Sequence, residues 1–235
     1  GVFIDVNSGE GLGMVSLPDF DPNAINAATS ESRFNRATLG VYEMGSTFKI
    51  FNTALALETG TATMLSGYDA TKPIRYARFT INDFHPQKRW LSVPEIFQYS
   101  SNIGSAKMAL DFGAAGQKQF MKKLGFLNRL PIELPERGRP MYPSPWQKIS
   151  AMTIAYGHGI AVSPMHLVSG VAAVVNGGVL WPVTLLKKND RSSNIGKQIL
   201  SAKTSKNMRK MLRLVVENGT GRNAAATGYW VGGKT

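Results

Sequence analysis

The feature that most constrains this chain is a lysine set at the start of an apolar helix. The run Gly45-Ser46-Thr47-Phe48-Lys49 leads into a helical pattern that continues to about residue 58 and stops at Gly60. The apolar positions of this segment are Phe48, Ile50, Phe51, Ala54, Leu55 and Leu57. A helix this apolar has to be covered by the rest of the domain, which leaves Lys49 poorly hydrated.

Ser46 and Lys49 stand three residues apart and therefore share one face of the predicted helix. Gly45 lets the backbone turn tightly just before the serine. Because desolvation lowers the pKa of a lysine, Lys49 is a candidate general base for a nucleophilic Ser46. A Ser-x-x-Lys pattern is common by chance, so the alternative is an ordinary helix start with an exposed lysine.

Composition excludes several other kinds of site. The 235 residues include no cysteine, which excludes disulfides, thiolate metal sites and a cysteine nucleophile. Three scattered histidines give no metal motif, and no apolar run is long enough to span a membrane. The net charge of +12 permits binding to an anionic surface, but the basic residues are spread out and no nucleic-acid module is recognisable.

The periodicity predicts an α+β domain. Helices are predicted over residues 46–58, 92–99, 103–111, 116–124, 146–155, 164–175 and 201–218. Strands are predicted over residues 2–7, 12–17, 74–76, 179–186 and 229–235. Residues 18–35 and the proline-rich residues 131–145 are predicted as loops. Strands at both chain ends suggest an antiparallel sheet built from residues distant in sequence and flanked by helices.

Two further fragments follow the serine motif in order. They are Ser100-Ser101-Asn102 and, at the end of the chain, Lys234-Thr235. Together with Ser46-Thr47-Phe48-Lys49 they match the Ser-x-x-Lys, Ser-x-Asn and Lys-Thr-Gly set of penicillin-binding proteins and serine β-lactamases. Each fragment alone is weak evidence, whereas three in the correct order are specific.

The sequence resembles class B penicillin-binding proteins, which are peptidoglycan D,D-transpeptidases, across essentially its whole length. Two stretches resemble the septal cell-division branch, namely residues 99–104 around the Ser-x-Asn motif and residues 157–164, which begin Gly157-His158-Gly159. The resemblance implies a penicillin-binding protein/serine β-lactamase-like transpeptidase domain over residues 1–235. It also implies that the third motif is cut, that the C-terminal part of the sheet is missing, and that a membrane anchor and an N-terminal module are absent.

The resemblance implies a role for each motif residue. Ser46 would be the nucleophile and Lys49 its base, with the Ser46 amide as one oxyanion donor. Lys234 would lower the pKa of Lys49 and pair with the substrate carboxylate, beside a substrate-binding Thr235. Ser100 would relay a proton to the leaving amine, and Asn102 would align the substrate.

The implied function is cross-linking of peptidoglycan stem peptides during septum formation through an acyl-enzyme, without metal or organic cofactor. β-Lactams would acylate the same serine, and the partners would be cell-division membrane proteins rather than nucleic acid. The implied location is the periplasmic face of the bacterial inner membrane. Two alternatives stay open: a β-lactamase or β-lactam-sensing domain, and a non-catalytic scaffold of the division complex.

Overall fold

A computed structural model describes residues 1–187 and 195–235. Its α-helices are α1 Ser30–Arg33, α2 Lys49–Thr59, α3 Val93–Gln98, α4 Asn102–Lys123, α5 Lys148–Ile154, α6 Pro164–Val175 and α7 Ala202–Asn218. Its strands are β1 Val2–Ile4, β2 Gly11–Met14, β3 Gly67–Asp69, β4 Ile74–Tyr76, β5 Phe79–Ile81, β6 Trp90–Ser92, β7 Val179–Leu180 and β8 Lys197–Gln198. The predicted α+β class is confirmed.

Helix α2 is the centre of the domain. Every residue from Lys49 to Ala56 is buried, and α2 contacts α3, α4, α6 and α7. The helix is therefore covered on all sides, as its apolar sequence requires. It ends where Gly60 takes a left-handed conformation with φ of 72°, the usual glycine helix stop.

The packing around α2 includes an aromatic cluster. The rings of Phe48 and Phe51 lie 5.4 Å apart between centroids, and the Phe51 and Phe126 rings meet edge to face at 4.9 Å. Gly170 of α6 allows this contact, because a Cβ at that position would lie 2.6 Å from the Phe126 ring. Gly170 is therefore a point at which α6 packs closely against the aromatic cluster.

Local sequence signals place the ends of the other helices. Ser92 and Glu95 form a capping box at the start of α3, and Ser201 caps α7. The two helices predicted at 103–111 and 116–124 are the two halves of α4, which is interrupted at Gly113, where φ is 70° and ψ is 172°. The loop predicted over residues 18–35 contains a 3₁₀ turn, Pro22–Ala27, and the short α1.

The strands are shorter than predicted and form separate antiparallel pairs. Within the described ranges the pairs are β1–β2, β3–β6, β4–β5 and β7–β8. In β1–β2, Val2 lies opposite Met14, and in β3–β6, Gly67 lies opposite Ser92. The sheet predicted from both chain ends is thus not formed by these residues. The strand predicted over 229–235 is wrong, since this segment pairs with no strand of residues 1–187 and 195–235. It lies instead against α7, where the Gly233 N–H donates a hydrogen bond of 3.0 Å to the Leu212 carbonyl.

The aromatic cluster gives a stability prediction. We expect Phe126→Ala to lower the free energy of unfolding by about 3–5 kcal/mol, because it removes a fully buried ring and leaves a cavity beside α2. Urea denaturation measures this. The matched control is Phe84→Ala, at a ring that is 88% exposed, with an expected change within about 0.5 kcal/mol. Equal effects of the two substitutions would contradict the proposed importance of the cluster.

Candidate active site

Ser46 lies in a 3₁₀ turn, Gly45–Phe48, that runs directly into α2 at Lys49. The prediction that the α-helix itself begins at Ser46 is therefore wrong by three residues. The 3₁₀ turn favours the predicted contact between Ser46 and Lys49, because side chains at i and i+3 eclipse each other in such a turn. The Lys49 Nζ lies 2.8 Å from the Ser46 Oγ.

The Ser-x-Asn motif crosses the start of α4. Ser101 caps this helix, and Ser100 before it has a left-handed backbone with φ of 59°, which is strained for a residue other than glycine. The Ser100 Oγ lies 3.0 Å from the Lys49 Nζ, and the Asn102 Oδ1 lies 2.7 Å from the same nitrogen. The first and second motifs thus meet at one amine.

Two residues that the sequence analysis missed hold this strained segment. The Asp83 carboxylate accepts hydrogen bonds from the Ser101 hydroxyl at 2.8 Å and from the Ile103 N–H at 2.9 Å. The Asn82 carbonyl accepts a hydrogen bond from the Asn102 Nδ2 at 2.9 Å. A carboxylate at a helix N-terminus is favourable, and here it also fixes the loop. The sequence shows only a polar turn at this point.

The third motif joins the site through Lys234. Its Nζ donates to the Ser100 Oγ at 2.9 Å and to the Thr235 carbonyl at 2.6 Å. The Thr235 hydroxyl pairs instead with the Thr220 hydroxyl at 2.6 Å. The structure therefore connects Ser46, Lys49, Ser100, Asn102 and Lys234 by hydrogen bonds and places Thr235 beside them.

Burial controls the protonation of both lysines. The pKa of Lys49 is lowered from its ordinary value of 10.5 to about 7, first by desolvation and second by the positive charge of Lys234. The Asp83 carboxylate opposes this change and raises the Lys49 pKa. Burial alone lowers the pKa of Lys234 to about 8. Near neutral pH, a substantial fraction of Lys49 is thus the free amine.

The three contacts of Lys49 fit that free amine. A neutral amine donates two hydrogen bonds and accepts one, whereas an ammonium only donates. The Asn102 Oδ1 is a pure acceptor, and the Ser100 Oγ can accept the second donor. If Lys49 is the free amine and gives its two hydrogens to these oxygens, its lone pair is left for the Ser46 hydroxyl, which is the arrangement needed to remove the Ser46 proton.

The described ranges 1–187 and 195–235 contain no group of three or more His, Cys, Asp or Glu side chains able to hold a metal ion. Among the helices of these same ranges, none has the length and apolar character needed to cross a membrane.

Charge substitutions should move the Lys49 pKa in opposite directions. We expect Lys234→Met to raise it, because a nearby positive charge is lost, and Asp83→Asn to lower it, because an opposing negative charge is lost. NMR titration of ¹³C-labelled lysine side chains measures both changes. Lys118→Met, at an exposed lysine of α4, is the matched control and should leave the Lys49 pKa unchanged. A shift of the same sign in both site variants would contradict this electrostatic account.

Comparisons with known proteins agree with the motif geometry. The sequence matches the family model of the penicillin binding protein transpeptidase domain over residues 1–235. The chain is 41% identical to the probable peptidoglycan D,D-transpeptidase FtsI of Caulobacter vibrioides and 35% identical to stage V sporulation protein D of Bacillus subtilis. Both matches cover the whole of this chain. They cover 40% of the length of the Caulobacter protein and 38% of the length of the Bacillus protein.

A solved structure shares the fold. The transpeptidase domain of Burkholderia pseudomallei penicillin-binding protein 3, solved in its apo form, superposes with a TM-score of 0.88 at 31% identity. The superposition covers 99% of this chain and 67% of that one. The family match over the whole chain, the similar fold and the sequence relatives agree, and the chain belongs to the penicillin-binding protein transpeptidase family.

Proposed function

We propose that this chain carries the active site of a serine D,D-transpeptidase that cross-links peptidoglycan stem peptides. The observation that carries the proposal is the position of the Lys49 Nζ, which lies within 3.0 Å of the Ser46 Oγ, the Ser100 Oγ and the Asn102 Oδ1. A pKa near 7 makes this amine a base at neutral pH. The relatives with this function in their names support the same reading.

In the proposed acylation step, the free amine of Lys49 takes the proton of Ser46 as the Ser46 Oγ attacks the carbonyl of the terminal D-alanyl peptide bond. The new C–O bond forms, and the carbonyl electrons move to oxygen. The Ser46 N–H at the start of the 3₁₀ turn supplies one donor for this oxyanion, because the first N–H groups of a helix have no partner within it.

Ser100 is suited to move the next proton. Its Oγ lies between two lysine nitrogens, at 3.0 Å from Lys49 and 2.9 Å from Lys234. When both lysines donate to it, its own hydrogen is free to point at the departing amine. The C–N bond then breaks as Ser100 gives its proton to D-alanine and regains one from the Lys49 ammonium.

The second half of the reaction reverses these roles. An amine from a neighbouring stem peptide attacks the acyl carbonyl on Ser46 and loses its proton to the same Ser100 and Lys49 pair. Collapse of the intermediate returns a proton to the Ser46 Oγ and leaves a cross-link between the two peptides. We expect Lys234, when charged, to pair with the carboxylate of the first substrate.

We infer that the protein acts in septum formation. An asparagine at the third position of the second motif matches the septal branch, and here its amide both accepts from Lys49 and donates to the Asn82 carbonyl. An aspartate could not make the second of these bonds. By the same resemblance we propose a periplasmic location at the inner membrane, division membrane proteins as partners, and β-lactams as covalent inhibitors.

Labelling with a fluorescent penicillin tests the function. In the full-length protein we expect covalent label on Ser46, located by peptide mass spectrometry, and none in Ser46→Ala. Lys49→Met should slow acylation by about 10²-fold or more, because it removes the base. Ser30→Ala, at an exposed serine of α1, is the control and should label normally.

The alternatives give different results in the same experiment. Rapid release of hydrolysed penicillin would indicate a β-lactamase, and absence of label would indicate a non-catalytic scaffold. Either result would contradict the proposed transpeptidase.

A further inference from the structure

The residues just before Ser46 lie against a second segment, residues 157–162. Tyr42 and Val162 exchange backbone hydrogen bonds of 2.9 and 3.0 Å. The Gly45 N–H donates to the Gly157 carbonyl at 3.3 Å. The Gly159 N–H donates to the Glu43 Oε1 at 2.7 Å. Glu43 thus supplies a side-chain contact within an otherwise backbone-to-backbone junction.

Gly157 and Gly159 form a turn whose backbone conformation favours glycine at both positions. Gly157 and Gly159 have φ values of 85° and 82°, in the left-handed region. This turn directs the Gly159 N–H toward Glu43 and the Gly157 carbonyl toward Gly45. The bond to Glu43 is charge-assisted, since the acceptor is a carboxylate.

The turn at residues 157–159 lies very close to Gly45, the residue before Ser46. A Cβ at Gly157 would lie 2.0 Å from the Gly45 carbonyl oxygen, so the two backbones touch with no space between them. A shift of the turn toward Gly45 therefore has to move Gly45, and a shift away from it breaks the hydrogen bond between the Gly45 N–H and the Gly157 carbonyl. Because Gly45 immediately precedes Ser46, the peptide plane between them sets the direction of the Ser46 N–H.

We propose that Glu43 is a positioning residue for the Ser46 amide and hydroxyl. It holds the 157–159 turn against Gly45 and acts only through that turn, because its carboxylate is bonded to the Gly159 amide. The proposal rests on the proposed function, in which the Ser46 amide is an oxyanion donor. Glu43 is an exposed residue, so its role differs from that of the buried groups that stabilise the core.

Three variants of the full-length protein test the proposal. Glu43→Ala removes the acceptor, Glu43→Gln keeps an acceptor oxygen without the charge, and Glu31→Ala is the control at an exposed glutamate of α1. The first measurement is the rate of acylation by a fluorescent penicillin, separated into the binding constant and the first-order acylation step. The second is hydrogen–deuterium exchange of the peptide that spans residues 42–48.

We expect Glu43→Ala to slow the first-order step by about 10–100-fold with little change in binding, as small misplacements of reacting groups do. Exchange of the 42–48 peptide should become faster. Glu43→Gln should stay within about threefold of the wild type in both measurements because a neutral acceptor still holds the turn. Glu31→Ala should match the wild type.

The proposal is overturned if exchange of the 42–48 peptide is the same in Glu43→Ala and the wild type. It is also overturned if Glu43→Gln lowers the first-order acylation rate as much as Glu43→Ala does. The exchange measurement needs no acylation. If the wild type is not acylated but exchange of the 42–48 peptide is still faster in Glu43→Ala than in the wild type, the proposed function is refuted and the positioning role of Glu43 is not.

Discussion

Burial of the Lys49 amine is the physical constraint on which this site depends. The residue is fully buried, and the fall of its pKa from 10.5 to about 7 corresponds to roughly 5 kcal/mol against the charged form. The same apolar helix that forms the centre of the core thus produces the base. Core packing and chemistry are coupled at one residue, because α2 cannot become less buried without raising the pKa of Lys49.

The remaining polar groups meet the lysine from segments far apart in the chain. Ser100 and Asn102 come from the start of α4, and Lys234 comes from a segment 134 residues beyond Ser100. The Asp83 carboxylate fixes the left-handed Ser100 segment by bonds to Ser101 and Ile103. The strain at Ser100 is therefore held by neighbours outside the motifs, as is common at functional sites.

Local signals in the sequence were enough for the helices. The apolar period, the Ser92 cap, the Gly60 stop and the Ser201 cap predicted α2, α3 and α7 to within a few residues. They fail for residues 229–235, where a β-type composition predicts a strand although a strand also requires a paired partner, which composition does not encode.

The site likewise contains contacts that the sequence predicts and contacts that it does not. Spacing predicted the contact of Ser46 with Lys49, and the family motifs predicted that Ser100, Asn102 and Lys234 would join them, whereas their roles in catalysis stay predictions. Neither source assigned a role to Asp83 or Glu43. Their partners are 18–20 and 116 residues away, and such contacts depend on tertiary packing that no local pattern reports.

The most direct test of the central claim is the pH dependence of acylation of Ser46 by penicillin. If neutral Lys49 is the base, the rate rises with pH through a midpoint near 7, and it falls again near 8 as Lys234 loses the charge that binds the carboxylate. A rate that keeps rising toward pH 10, the range of an ordinary lysine, or one that does not change with pH, would contradict the account.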